Sequence, residues 1–254
     1  MLQAIGQFAV MHTFWFVVLC VVVLAMLGLL ALTSLWIYGL GRPVSKEEKY
    51  RRLPGDEMFG DSGDPFDRIQ VAISIDAKKE DVWPWIAQLG QRRAGFYSFG
   101  WLERLCGFHI FNTFRVVDEW AHKEAGEFMF YHQCGIGSEV KAVVENEYFT
   151  SVSDSRAPSE VPGAIGFKPP FKLDYFGWTW NFYLWDEGES KTRFLSRCDA
   201  TYEPYDWIHR GIVALILGTA SFVMIRRMLD IIKNCAEGRK KPYSAAERLL
   251  RRCK

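Results

Sequence analysis

The sequence predicts an α+β domain, a curved antiparallel sheet wrapped on one long C-terminal helix and preceded by a single transmembrane helix. Three observations predict it. An uncharged apolar run lies near the start of the chain; one strand and one short helix come next; several strands in succession and a long apolar helix complete the order.

No charged side chain occurs from Thr13 to Gly41. Val, Leu, Ala and Phe dominate residues 14–40, and a helix over them rises roughly 40 Å, enough to cross a hydrocarbon core of about 30 Å with some tilt. Trp15 near one end and Trp36 and Tyr38 near the other suit the membrane interface. A cleaved signal peptide is the competing reading. It needs a basic leader and a shorter apolar core, and no Lys or Arg precedes Arg42. Arg42, Lys46, Lys49, Arg51 and Arg52 all follow the run, so the positive-inside rule puts the rest of the chain in the cytosol. Residues 1–41 are thus an N-terminal segment, 42–65 a charged linker, 66–238 the domain and 239–254 a basic tail that suits anionic membrane lipid.

Within the domain, residues 68–76 alternate apolar and polar, with Ile69, Val71, Ile73 and Ile75 on one face of a strand. A helix follows, capped by Asp76 or a neighbour, with Val82, Trp85, Ile86 and Leu89 at helical spacing and Gly90 at its end. Further strands are expected at 127–132, 139–145, 148–153, 178–185 and 192–201, the last two joined by a polar loop over 186–190. Trp178, Trp180, Phe182 and Leu184 share one face. The last helix is expected over 205–236. Its uncharged middle, 211–225, rises about 22 Å, short for a membrane span, and reads as buried against the sheet, with a second membrane-inserted segment as the alternative.

Composition excludes several classes of function. With a net charge of +1, nothing points to nucleic acid. The six cysteines are scattered without a C-x-x-C pair, so free thiols are expected rather than a zinc site or a disulfide framework. His109, His122 and His132 form no metal-spaced pair, Gly135-Ile-Gly137 is too short for a dinucleotide fingerprint, and nothing near Ser98 resembles a nucleophile elbow. No metal, cofactor or catalytic set is expected.

Ile73-Ser-Ile-Asp-Ala-Lys-Lys-Glu-Asp-Val-Trp-Pro-Trp-Ile-Ala-Gln-Leu-Gly90 resembles the opening of START-like (SRPBCC, polyketide cyclase/dehydrase-type) domains. Arg93-Ala-Gly-Phe-Tyr-Ser-Phe-Gly-Trp-Leu-Glu103 resembles a signature of one bacterial subgroup; Gly126-Glu127 and residues 220–229 fit as well. The resemblance covers roughly residues 66–238. It implies a helix-grip fold enclosing an apolar cavity, and binding of lipids, sterols, quinones or polyketides. It carries no shared catalytic set.

The resemblance and the 15 % aromatic content together suggest a membrane-anchored binder of a lipid, isoprenoid or quinone-like molecule. Arg93, Tyr97 and Trp101 are candidates for the cavity mouth, with packing and ion pairing of a loop as the plainer role. Asn181, Tyr183, Arg197 and Asp199 are candidate polar contacts, or outward-facing strand residues. A filled interior would exclude this reading. The alternatives are an enzyme of cyclase, dehydrase or hydrolase type acting on a lipophilic substrate, and an accessory subunit whose membrane helix docks on a membrane-protein complex through Cys20, Gly28, Thr33 and Ser34.

Overall fold

The computed structural model describes residues 15–31, 33–34, 44–60, 66–165 and 172–239. Helix α1 runs over 15–31 with its apolar side chains exposed. Among the described residues no helix is long and apolar enough to cross a membrane. The expected span over 14–40 runs partly outside the described residues, as does the basic tail from residue 240 onward.

The domain is the expected α+β arrangement. Six antiparallel strands form one sheet in the order β1-β6-β5-β4-β3-β2. They are β1 (Asp67–Ile75), β2 (Phe128–Phe130), β3 (Gly137–Val144), β4 (Tyr148–Asp154), β5 (Tyr175–Gly188) and β6 (Lys191–Glu203). β5 and β6 are longer than alternation alone marks, because their ladder continues past the apolar stretch at both ends. The polar loop shrinks to Glu189-Ser190, a two-residue hairpin.

Helix α4 (Lys79–Ala87) begins after Lys78, which makes no side-chain cap, instead of at Asp76; Asp76 donates its backbone N–H to Glu237 at 2.9 Å. Pro84 inside α4 has no N–H to offer the Glu80 carbonyl, yet the helix continues past it, and Gln88 rather than Gly90 is its C-cap. Helix α5 is Gly100–Leu105. The long last helix is broken: α6 (Trp207–Val213), capped by Asp206, passes through a π-helical turn (Ala214–Gly218) into α7 (Thr219–Ala236).

α7 lies on the inner face of the sheet, over β1 and against α4. Ile225, Met228, Leu229 and Ile232 of α7 share a core with Val71, Ile73, Ile75, Phe182 and Phe194, all buried, while Trp83 of α4 meets Phe149 edge-on at 6.3 Å. At about 25 cal/mol per Å² of apolar surface, this core is the main source of the domain's stability.

The stretch with linker composition departs from expectation. Residues 44–60 fold as a strap across the outer face of the sheet, carrying α2 (Lys46–Tyr50) and α3 (Glu57–Gly60). Ser45 and Glu48 form a reciprocal capping box, at 3.1 and 2.7 Å. Glu48 then receives Arg193 at 2.6 and 2.9 Å. Burial works to raise the Glu48 pKa, but hydrogen bonds from Arg193 and Ser45 hold it below the usual carboxylate value. Further along, Val44 and Leu53 pack on Ala72, Tyr183 and Leu195.

Candidate functional site

The sheet has two faces, and the sequence-predicted site residues divide between them. Trp178, Trp180 and Phe182 of β5 point inward toward α7; Thr179, Asn181 and Tyr183 alternate outward. Outside, Arg197 and Tyr183 hold the strap directly, Asp199 acts through Arg68, and Asn181 bonds to β4. Arg197 is fully buried and donates to both oxygens of Asp56 and to the Glu48 and Arg51 carbonyls. Arg68 bridges Asp56 and Asp199, and burial pushes the Asp199 carboxyl up against the opposing pull of Arg68. Tyr183 donates its hydroxyl to the Pro54 carbonyl at 2.6 Å, and Asn181 accepts from the Ser151 amide at 3.0 Å. Burial raises the Tyr183 pKa.

Arg93, Tyr97 and Trp101 lie at the edge of the sheet. Arg93 ties the 122–127 segment to the end of α4, pairing with Glu127 at 3.0 Å and donating to the Ala87 and His122 carbonyls. Tyr97 is buried with φ at 52°, a left-handed conformation that costs energy for a bulky residue. Its backbone N–H meets Asn112 at 2.8 Å and its hydroxyl meets Gln88, so it clasps two loops together. Trp101 is half-buried on α5. Behind Arg93 sits Lys123, whose side chain is 1 % exposed, 3.5 Å from Glu127 and 5.4 Å above the Phe149 ring. Burial, reinforced by Arg93 and opposed by Glu127, pushes its pKa down to about 7.

The inner face is fully buried in one half and partly buried in the other. Phe149, Phe182 and Phe194 are buried under α4 and α7. Trp178, Trp180, Tyr131 and Phe222 are only partly buried, and three of the four belong to the sheet side of the same core. α7 lies over β1 and against α4, while Val213 at the end of α6 packs with Phe176 and Trp178 at the start of β5. Together these rings form an aromatic wall at the margin of the core. Phe96 stacks on Trp180 at 5.5 Å, and Tyr131 tilts against Trp180 at 5.7 Å.

Its polar groups are uncharged. The Tyr131 hydroxyl meets the Ser138 hydroxyl at 2.5 Å; Trp180 donates its indole N–H to Ser196 at 2.9 Å; Ser151 donates to the Trp180 carbonyl at 2.7 Å. Burial raises the pKa of Tyr131 and of the Cys198 thiol, keeping both neutral. Two depressions of about 360 and 300 Å³ lie elsewhere. One is on the outer face around Phe59, Phe128 and Glu139, the other at the sheet edge around Arg92, Arg93 and Glu127. Sequence reasoning marks the shared face of Trp178 and Trp180; it misses Tyr131, Ser138 and Ser196, which sit on strands and a turn with no distinctive local pattern.

No family model matches the chain, and no curated protein matches it. Among solved structures, a norcoclaurine synthase point mutant from Thalictrum flavum, in complex with a transition-state analogue, aligns at 13 % identity and a TM-score of 0.38, over 68 % of this chain and 95 % of that one. A protein from Arthrobacter aurescens aligns at 12 % and 0.37, over 70 % and 90 %. DynU16, a protein of the dynemicin biosynthetic locus, aligns at 14 % and 0.37, over 70 % and 51 %. Likeness at this level says nothing of what this chain binds or does.

Proposed function

We propose that this protein is a membrane-anchored binder of a neutral lipophilic molecule, held in a cleft against this aromatic wall. The observation that carries the reading is the partial burial of Trp178, Trp180 and Tyr131 on a sheet face whose rings Phe149, Phe182 and Phe194 are fully buried. Large rings left partly in contact with water at the margin of a core are costly unless something covers them.

The chemistry of the cleft selects the ligand class. Hydroxyls and an indole N–H suit a carbonyl or hydroxyl head group, whereas a charged head would find no counter-ion on this wall. The surroundings suit delivery from a bilayer. Among the described residues, the exposed apolar side chains Leu105, Phe108, Ile165, Trp207, Ile208 and Leu215 belong to segments at the end of the sheet where β1 starts and β6 finishes. The uncharged 14–40 segment supplies the anchor in this reading.

The test uses the full chain in mild detergent. An organic extract of the natively purified protein, analysed by mass spectrometry beside a denatured control, is expected to contain one enriched neutral lipophile. N-phenyl-1-naphthylamine, a neutral fluorescent probe, is expected to bind saturably and about tenfold more weakly to Trp180→Ala. Non-saturable binding that Trp180→Ala leaves unchanged would remove the cleft as the site.

A further inference from the structure

The hairpin between β2 and β3 carries a thiol and an imidazole in contact. His132 Nδ1 lies 2.8 Å from Cys134 Sγ and accepts the Cys134 backbone N–H at 3.1 Å. Accepting that N–H requires a lone pair, so Nδ1 is the unprotonated ring nitrogen and the thiol is the group that donates to it. The ring is held edge-on against Phe108, at 4.9 Å and 88°.

This turn is pinned from three directions. Within it, Gly135 donates to the His132 carbonyl at 3.0 Å, and a Cβ on Gly135 would fall 2.4 Å from the Gly163 carbonyl oxygen. Gln133 clamps it to the loop after α5, donating to the Gly107 carbonyl at 2.8 Å and accepting from the His109 amide at 3.1 Å. Ile165 donates to the Gly135 carbonyl at 3.0 Å. A base fixed beside an exposed nucleophile, both on a held turn, is the arrangement that activates a cysteine. Cys134 is exposed, and the clamping segments present Leu105, Phe108 and Ile165 to solvent around it.

We propose that Cys134, with His132 as its base, is an acylation site that takes the acyl group of a fatty-acyl thioester. His132 Nδ1 accepts the thiol proton, and the Cys134 sulfur attacks the thioester carbonyl carbon. A new C–S bond forms, the bond from that carbon to the donor sulfur breaks, and the departing thiolate takes the proton back from Nδ1. No oxidant or reductant enters. The apolar side chains around the thiol receive the acyl chain, and the product carries a covalent lipid beside the mouth of the cleft.

Cys106, exposed as well, provides an internal comparison. The full chain in detergent micelles is incubated with palmitoyl-CoA, and each cysteine peptide is followed by mass spectrometry, with hydroxylamine release confirming a thioester. Cys134 is expected to acylate at least tenfold faster than Cys106, with one coenzyme A thiol released per acyl group. His132→Ala, verified as folded by circular dichroism, is expected to bring Cys134 down to the Cys106 rate. Equal rates at the two cysteines, or a His132→Ala variant as fast as the parent, would overturn the pair. Fast alkylation of Cys134 by iodoacetamide without acyl transfer would overturn the acyl assignment.

Discussion

Asp56 on the strap grips Arg197 on β6 through both carboxylate oxygens, at 2.9 and 2.8 Å, and Arg197 is fully buried beneath it. Removing the carboxylate strands a buried cation, which costs about 3–5 kcal/mol in comparable pairs. The Glu48 and Arg51 carbonyls remain as acceptors, so Asp56→Asn is expected near the lower end, roughly 3 kcal/mol by the same comparison. Urea unfolding monitored by tryptophan fluorescence measures it. A loss below about 1 kcal/mol, the usual worth of an exposed pair, would mean the strap is a surface ornament.

Strap removal is the larger version of the same experiment. Without 44–60, Tyr183, Leu195 and Arg197 lose their cover. A chain starting at residue 44 is expected to unfold cooperatively, whereas one starting at residue 66 is expected to aggregate or melt without a sharp transition. Differential scanning calorimetry of the two separates these outcomes.

Gly55 is a more local probe. Its φ is +94°, and an added Cβ would lie 2.8 Å from Asn181 Nδ2 and from Thr150 Cγ2. Gly55→Ala therefore meets backbone strain and a clash together, and is expected to cost roughly 1–3 kcal/mol. Hydrogen exchange is expected to quicken in 45–58 before the rest of the sheet. Unchanged protection there would show that the strap can shift without loss.

Lys123 gives a pH signature. Its folded pKa of about 7 lies below the unfolded value of about 10.4, so between these the unfolded chain binds more protons and stability rises with pH. Below pH 7 the penalty is fully present; above about pH 10.4 it is gone. Lys123→Met is thus expected to stabilise the protein at pH 6.5, by an amount on the order of a few kcal/mol, and less at pH 9.5. Denaturant midpoints at the two pH values test this. An equal gain at both would place the lysine in water in solution.

The sheet was legible because its signal is local. Ile69 to Ile75 and Trp178 to Leu184 alternate in a way that a strand with one buried face requires. The strap was not, because charge, Gly and Pro are the marks of a solvated linker, and its partners Arg68, Arg193 and Arg197 lie on strands far along the chain. A Glu and an Asp that neutralise buried arginines look the same in sequence as a Glu and an Asp in water. The break at 214–218 was likewise hidden, since an uninterrupted apolar run reads as an uninterrupted helix. Arg197 and Tyr183 could be named as polar strand residues, but which face they occupy depends on what covers each side.

The strap also changes how far the domain can travel. A flexible 35–65 stretch would let it roam roughly 105 Å from the end of the described helix, at about 3.4 Å per extended residue. With 44–60 fastened to the sheet, residues 35–43 alone connect it to the described helix, and their full reach is about 30 Å. On the membrane anchor proposed above, so short a leash would confine the domain to a volume smaller by more than tenfold and raise its effective concentration at the bilayer surface in proportion. Even weak contacts by Trp207 or Phe108 would then be occupied much of the time.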